Sequence, residues 1–482
     1  MADQIYEKLI NIVGEDYVSN DESVMYPYSY DVGNLTSGSN PEGMGEYLVM
    51  PDNVEQVQKI VLIANEEKVP ITPYISGANM GGCAVPSKGG IIMDLRRMNR
   101  IVEVNEKADY IVIEPGVSIG QFEKKLKEIN RWIPFPLAPP AAASVVGNVL
   151  LTGIGHVSAQ YGCNGELVNA MEVVLPTGKI VKVGSAGLVN SWHSRFPVPD
   201  LTGLFLNWQG TTGIVTKMSV VMYQRPEYRD VITFGFDSYE EAVDEFMIPL
   251  QRRELAHDIT GINWALAQIP IKKWPLSEKP EKDPLIFVFN VLAGYTVDEL
   301  EFKQKQLRAF ASELKKSGKT PSIKEVELPD KTKEYRAVKI PNPWAFLYAD
   351  HRDGGSVYWC GSLMPADGWV EAYKKADKIM ENHGLAPATR VSMFKGSHYG
   401  MFRSIIPYNK GDEKEVENIR QTAIELTQNV IEHGGILYKA PPWAAEMLLN
   451  SEYADPEFKE FMRLIKKTLD PNGIMNPGKW GL

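Results

Sequence analysis

The chain has 482 residues, 44% hydrophobic and 23% charged, with a formal net charge of -10. Such a length exceeds one ordinary core and predicts two or three domains of globular rather than disordered composition. The acidic balance argues against nucleic acid or an anionic membrane as partner, and Cys83, Cys163 and Cys360 are spaced for neither a disulfide framework nor a zinc site, so no metal is expected.

The opening MADQIYEKLINIVGEDYVS reads as an acidic amphipathic helix, without the basic start and apolar run of a signal peptide. No apolar run reaches the ~20 residues that cross a bilayer, which predicts a cytoplasmic protein. From Val54, NVEQVQKIVLIANEEKV places apolar residues at helical spacing and feeds the strand PITPYI. A glycine-rich turn, ISGANMGGCAVPSKGG, then precedes the strand IIMDL. Without a Cβ, Gly77, Gly81 and Gly82 can take positive φ and turn successive N–H groups toward one anion. Such a loop can also merely turn a corner.

The strands IVEVN and YIVIEPGV and the helix GQFEKKLKEIN follow. Residues 134–162, PFPLAPPAAASVVGNVLLTGIGHVSAQYG, are crowded with Pro, Ala and Gly. They form either a surface loop or a buried segment whose backbone groups a cofactor satisfies. AMEVVLPTGKIVKVG predicts a hairpin turning at Thr177-Gly178, and GTTGIVTKMSVVMY a further strand pair. After Arg225-Pro226 the pattern alternates helices and strands, so a domain boundary is expected near residue 225. The tail reads as an amphipathic helix and a Pro/Gly-punctuated loop.

The strings ISGANMGG, GGIIMDLRRMNRIVEVN, YIVIEPGVSIGQF, SVVGN, AMEVVLPTGKIVKVGSAG, GTTGIVTKM and LDPNGIMNPGK, taken in register, resemble the vanillyl-alcohol oxidase/4-cresol dehydrogenase family of flavoproteins. The resemblance implies an α+β fold: a two-subdomain FAD-binding domain of p-cresol methylhydroxylase (PCMH) type over residues 1–225, an α+β cap over 226–440, and a C-terminal return to the FAD domain over 441–482. It implies that Ser76, Gly77, Ala78, Asn79, Met80, Gly81 and Gly82 cradle the FAD pyrophosphate. Ser144, Gly147, Asn148, Gly153 and Gly155 would line the flavin and ribityl chain, and Gly213, Ile214 and Val215 the adenine end. Asn476 and Lys479 match the closing motif near the cofactor. Tyr348 matches the tyrosine that carries covalent FAD in part of the family, although Trp344 replaces the acidic residue before it; a covalent link and a structural tyrosine both stay open, with His351 as an alternative.

The departures from the family concern the substrate. The glycine loop lacks the family's tyrosine, and Leu151, Met393 and Phe402 align with polar site residues. Tyr438 is kept, while Lys439 replaces an arginine and loses its bidentate fork. These changes predict a pocket turned largely apolar, although Met and Phe are also ordinary core residues. His156 could act as a base or hydrogen-bond the FAD. Tyr438 and Lys439 could place positive charge beside the flavin.

The expected function is an FAD-dependent dehydrogenase passing a hydride from an activated C–H or C–OH carbon of a fairly hydrophobic substrate to the flavin. An aryl-alcohol or alkylphenol oxidase using O2, and a non-catalytic electron-relay subunit of a hetero-oligomer, are the alternatives. A cytochrome, an electron-transferring flavoprotein or an iron–sulfur protein would accept the electrons, and self- or hetero-association is expected by analogy.

Overall fold

A computed structural model describes residues 2–31, 43–133, 141–268, 278–337 and 355–482. The first sheet runs Val18–Ser19, Tyr47–Val49, Ile91–Asp94, Ile71–Tyr74, its last three strands parallel. The helix Val54–Glu67 covers it through Val57, Ile60, Val61 and Ala64, the stripe expected of helical periodicity. Asn53 caps that helix by accepting from Gln56 N–H.

The second sheet is antiparallel and runs Ile101–Asn105, Tyr110–Ile113, Ile214–Val221, Val168–Val174, Ile180–Gly184. The expected hairpin turns where predicted, with Gly178 at φ 80. The expected strand pair in GTTGIVTKMSVVMY is instead one unbroken strand, Ile214–Val221. No turn residue interrupts IVTKMSVV, and neighbours on both sides satisfy its backbone.

The third sheet has eight antiparallel strands in the order Lys324–Val326, Tyr228–Phe236, Ile286–Gly294, Asp258–Asn263, Thr389–Met393, Tyr399–Asn409, Gly355–Pro365, Ile436–Leu437. One face is covered by the helices Val297–Lys316, Trp369–Asn382 and Glu413–Glu432 and the π-helical turn Glu241–Met247. The opposite face carries Arg390, Ser392 and Arg403. After the helix Pro456–Leu469 the chain rejoins the first sheet, where Ile71 N–H donates to Ile474 O and Asn476 N–H to Ile71 O. Among the described residues no helix is long and apolar enough to cross a membrane.

Candidate active site

The glycine loop leaves the end of strand Ile71–Tyr74 with Gly77 at φ 59 and Gly82 at φ 66, a left-handed region that a Cβ disfavours. Among the described residues the N–H groups of Gly77, Ala78, Asn79 and Met80 find no protein acceptor, whereas Gly81 N–H is taken by Asn79 Oδ1 at 2.8 Å and Gly82 N–H by Asp31 Oδ2 at 2.5 Å. A Cβ on Gly81 would run into the carbonyl of Lys439. Unsatisfied N–H groups on glycine backbone are what an anion-binding nest requires, so this loop fits the pyrophosphate of FAD.

Asn476 and Lys479, expected at the cofactor, brace the loop through its carbonyls. Lys479, 1% exposed, donates to Gly82 O at 2.7 Å, Val85 O at 2.9 Å and Ser87 Oγ at 2.8 Å, and Asn476 Nδ2 to Cys83 O and Gln209 O. The second segment lies alongside. Ser144 N–H donates to Ser76 Oγ, and the Ser144 hydroxyl donates to Pro115 O while capping Gly147 N–H. Asn148 Oδ1 accepts from Asn164 at 2.6 Å, and a Cβ on Gly153 would overlap the Asn148 amide. Gly155 O accepts from Ser158 Oγ, and half-buried Leu151 ends the short helix Val145–Leu150. Ile214 and Val215 sit buried opposite Val174 and Val173, directly after Gly213.

The cap contributes its wall by strand alternation. Arg390 stands opposite Arg403, Ser392 opposite Met401 and Thr260, and Gly361 opposite Arg403, so these positions share one face. Val391, Met393 and Phe402 point the other way, into the helix-covered core with Trp369 and Tyr373. The expectation that Met393 and Phe402 line the substrate pocket is therefore corrected. A one-residue step along a strand exchanges faces, and their neighbours Ser392 and Arg403 lie on the face away from the helices.

That face also carries guanidinium groups and aromatic rings. Arg403 lies 4.4 Å over the Trp359 ring and donates to the Tyr438 hydroxyl. Arg336 lies 4.1 Å over the Phe289 ring. Sequence reasoning missed Arg336, Arg390, Arg403 and Asp258. For Arg390 and Arg403 the signal was present as charges beside apolar strand residues, in RVSMF and MFRSI, where a buried charge demands a partner.

His156 faces this wall because its segment is pinned to the cap: Gln160 N–H donates to His257 O and Lys395 N–H to Ser158 O. It is 2% exposed, and burial first, then Arg390, Arg336 and Arg403, hold its pKa well below the usual imidazole value. The ring is thus neutral at physiological pH. Lys439, at φ 56, has its pKa lowered to about 8 by burial and then by Arg403, and its ammonium lies 5.8 Å from the Tyr438 ring centroid. Asp258 is wholly buried, and burial raises its pKa to about 6 against the opposing pull of Arg390 and Arg336. From the loop side, Met80 packs on the apolar cluster that also holds Trp359, so loop and cap wall meet. Tyr348 and His351 lie outside the described residues.

A nearby histidine gives a pH signature. Burial, then Lys303, lowers the pKa of His257 to about 4. The unfolded chain, titrating near 6.5, binds this proton first. Stability should therefore fall as pH drops from about 6.5 to about 4, by up to ~1.4 kcal/mol per pH unit from this residue. Urea midpoints at pH 7, 6 and 5 should show a shallower acid slope for His257→Leu than for the parent; equal slopes would contradict the assignment.

Known proteins similar to this chain are FAD-linked. Residues 45–184 match the FAD binding domain family and residues 225–480 the C-terminal domain of FAD linked oxidases. The 4-cresol dehydrogenase [hydroxylating] flavoprotein subunit of Pseudomonas putida is 26% identical, covering 99% of this chain and 95% of that protein. The mitochondrial D-lactate dehydrogenase [cytochrome] of Arabidopsis thaliana is also 26% identical, covering 90% of this chain and 73% of that protein. In fold, the chain superposes on substrate-bound p-cresol methylhydroxylase with a TM-score of 0.87 at 22% identity, covering 100% of this chain and 96% of the other. The 4-ethylphenol oxidase from Gulosibacter chungangensis gives 0.85 at 21% identity, covering 99% and 97%.

Proposed function

The chain belongs to the FAD-linked oxidases, and from that premise we propose that this FAD-dependent oxidoreductase takes a hydride from an activated C–H or C–OH carbon of a substrate with an apolar body and an acidic end. The observation that carries this reading is a neutral His156 facing a cap wall of guanidinium groups and aromatic rings beside the glycine loop. When bound, FAD supplies the two-electron acceptor.

In this reading residues 1–225 and 441–482 hold the cofactor and 226–440 cover it. Ser76 to Gly82 hold the pyrophosphate, with Asn476 and Lys479 fixing the loop from behind. Ser144, Gly147, Asn148, Leu151, Gly153 and Gly155 flank the ribityl chain and ring, and Gly213 to Val215 the adenine end. The Tyr438 hydroxyl, polarised by Arg403 and adjacent to Lys439, holds the acidic end of the substrate. Trp359 and Phe289 offer flat apolar contact for its body. His156, kept neutral, has the capacity to accept a substrate O–H proton as the hydride leaves. A non-catalytic relay subunit would need none of these groups.

Two relatives, a flavoprotein subunit and a dehydrogenase qualified by cytochrome, support a protein electron acceptor over O2. Anaerobic mixing with 4-alkylphenols, aryl alcohols and 2-hydroxy acids should bleach the flavin absorbance with at least one class; bleaching by none defeats the proposal. Peroxide release in air separates an oxidase from the dehydrogenase expected. Tyr438→Phe should lower the second-order reduction rate constant about 10- to 100-fold, the worth of one hydrogen bond to a charged group, with flavin content unchanged. Covalent attachment, for which Tyr348 is the candidate, is read by whether acid-precipitated protein keeps its yellow colour and Tyr348→Phe loses it.

A further inference from the structure

Arg390 stands apart from the other cationic groups of the cap wall. It is half-buried, its Nε and Nη2 donate to Ser392 Oγ at 3.2 and 3.1 Å, its Nη1 has no partner among the described residues, and it joins no ion pair there. Behind Ser392 the hydrogen bonds continue inward: Ser392 Oγ meets Thr260 Oγ1 at 2.8 Å, and Thr260 Oγ1 donates to Asp258 Oδ2 at 2.9 Å. The other carboxylate oxygen of Asp258, a residue 0% exposed, has no hydrogen-bond partner among the described residues. Three residues on two strands thus hold one guanidinium in place, and the carboxylate at the far end makes no direct ion pair with it among the described residues.

Its position across the sheet is also distinct. Arg390 faces Arg403 directly on the neighbouring antiparallel strand, an arrangement of like charges that repels unless an anion lies between or beside them. Arg403 leans toward Tyr438 and Trp359, at one end of the wall. Arg390 leans toward Ser392 and Thr260, and Arg336 stands beyond, over Phe289 on the strand paired with Thr260. The wall therefore offers two cationic points, one at each end, with aromatic rings beneath them.

We propose that Arg390, oriented by Ser392, Thr260 and Asp258, binds a carboxylate of the substrate, so that the substrate carries two acidic groups, one at Tyr438–Arg403 and a carboxylate at Arg390–Arg336. The planar fork of a guanidinium matches a carboxylate in two hydrogen bonds, and a carboxamide or ester at the same place supplies neither the charge nor both acceptors. Ser392, Thr260 and Asp258 are positioning residues: they hold the fork at one rotation and keep the arginine from folding onto the protein. The inference rests on the reading of this face of the cap sheet as the substrate wall.

Benzoate is the probe, titrated into oxidised, FAD-loaded protein and followed by perturbation of the flavin absorbance and by calorimetry. It should bind saturably to the parent, with benzamide at least tenfold weaker. In Arg390→Met the benzoate dissociation constant should rise about 10- to 100-fold while that of phenol stays within twofold, since one charge-assisted contact is lost. Ser392→Ala, which leaves the guanidinium but not its orientation, should raise the benzoate constant several-fold with phenol again unaffected. Where Arg390→Met fails to retain FAD, Arg390→Lys takes its place, keeping the charge without the fork, and should still weaken benzoate selectively. Absence of saturable benzoate binding in the parent, equal binding of benzamide, or unchanged benzoate constants in the variants each overturns the proposal. No turnover enters these measurements, so flavin that resists reduction by every candidate substrate defeats the proposed function separately, and benzoate binding still decides this assignment.

Discussion

Replacing Asp470 by Ala should destabilise the protein by about 3–5 kcal/mol, the effect of stripping one partner from a buried ion pair. Asp470 is 2% exposed and Lys466 8%. One carboxylate oxygen accepts from Lys466 Nζ at 2.5 Å and Met475 N–H at 2.8 Å, and the other from Ile474 N–H at 3.0 Å. Lys466 also donates to Thr211 O and Met475 O. Without the carboxylate an ammonium stays buried among carbonyls, and two N–H groups lose their acceptor. The damage should extend to the cofactor, because residues 474–479 brace the glycine loop. Urea unfolding followed by circular dichroism measures the first effect, and the flavin-to-protein ratio the second. The double change Lys466→Met with Asp470→Leu should recover much of the loss, since it removes both charges together. A loss below 1 kcal/mol in Asp470→Ala would show that the tail is held elsewhere.

Gly81→Ala should weaken FAD binding roughly 5- to 150-fold, the equivalent of about 1–3 kcal/mol of overpacking. The added methyl group would meet the Lys439 carbonyl, which is backbone and cannot rotate away as a side chain would. Either the loop withdraws, misaligning the free N–H groups of Gly77 to Met80, or residue 439 withdraws and takes its ammonium from beside Tyr438. Gly203→Ala is the control, because nothing lies within 4 Å of a Cβ built there, and its flavin content should match the parent. Equilibrium dialysis against FAD distinguishes the two variants, and equal affinity would mean that the contact between loop and cap yields freely.

The cofactor half of the site was legible in the sequence because glycines at a strand end announce themselves: a backbone that must approach an anion cannot carry side chains, and Gly77, Gly81 and Gly82 lie in one short string. The bracing by Asn476 and Lys479 was legible only as proximity. Which side of the loop they touch depends on contacts spanning almost the whole chain. The substrate half was misjudged for a narrower reason. In RVSM polar and apolar residues alternate, and in MFRSI Phe402 adjoins Arg403, so an alignment displaced by one position assigns the core-facing member to the pocket. The Met393 and Phe402 assignment followed that displacement, and the arginines beside them went unread. Antiparallel pairing across three strands, which no local string encodes, settles the faces. The error in GTTGIVTKMSVVMY was one of length: a strand of eight residues, Ile214–Val221, was read as two because short strands are the commoner kind.

Lys479 grips Gly82 across 397 residues of sequence, and Asn476 reaches Cys83 across 393. A nascent chain emerging from the ribosome exposes its glycine loop long before it acquires the residues that fix the loop's shape. Domains made first ordinarily fold first, yet here the glycine loop depends on the segment that follows the helix Pro456–Leu469. Closing so long a loop also slows folding, because the chain entropy is lost before the contact forms. Cofactor loading is therefore expected to wait for residues 474–479: a ribosome stalled before residue 470 should carry a cap able to pack its sheet and a loop that does not yet retain flavin.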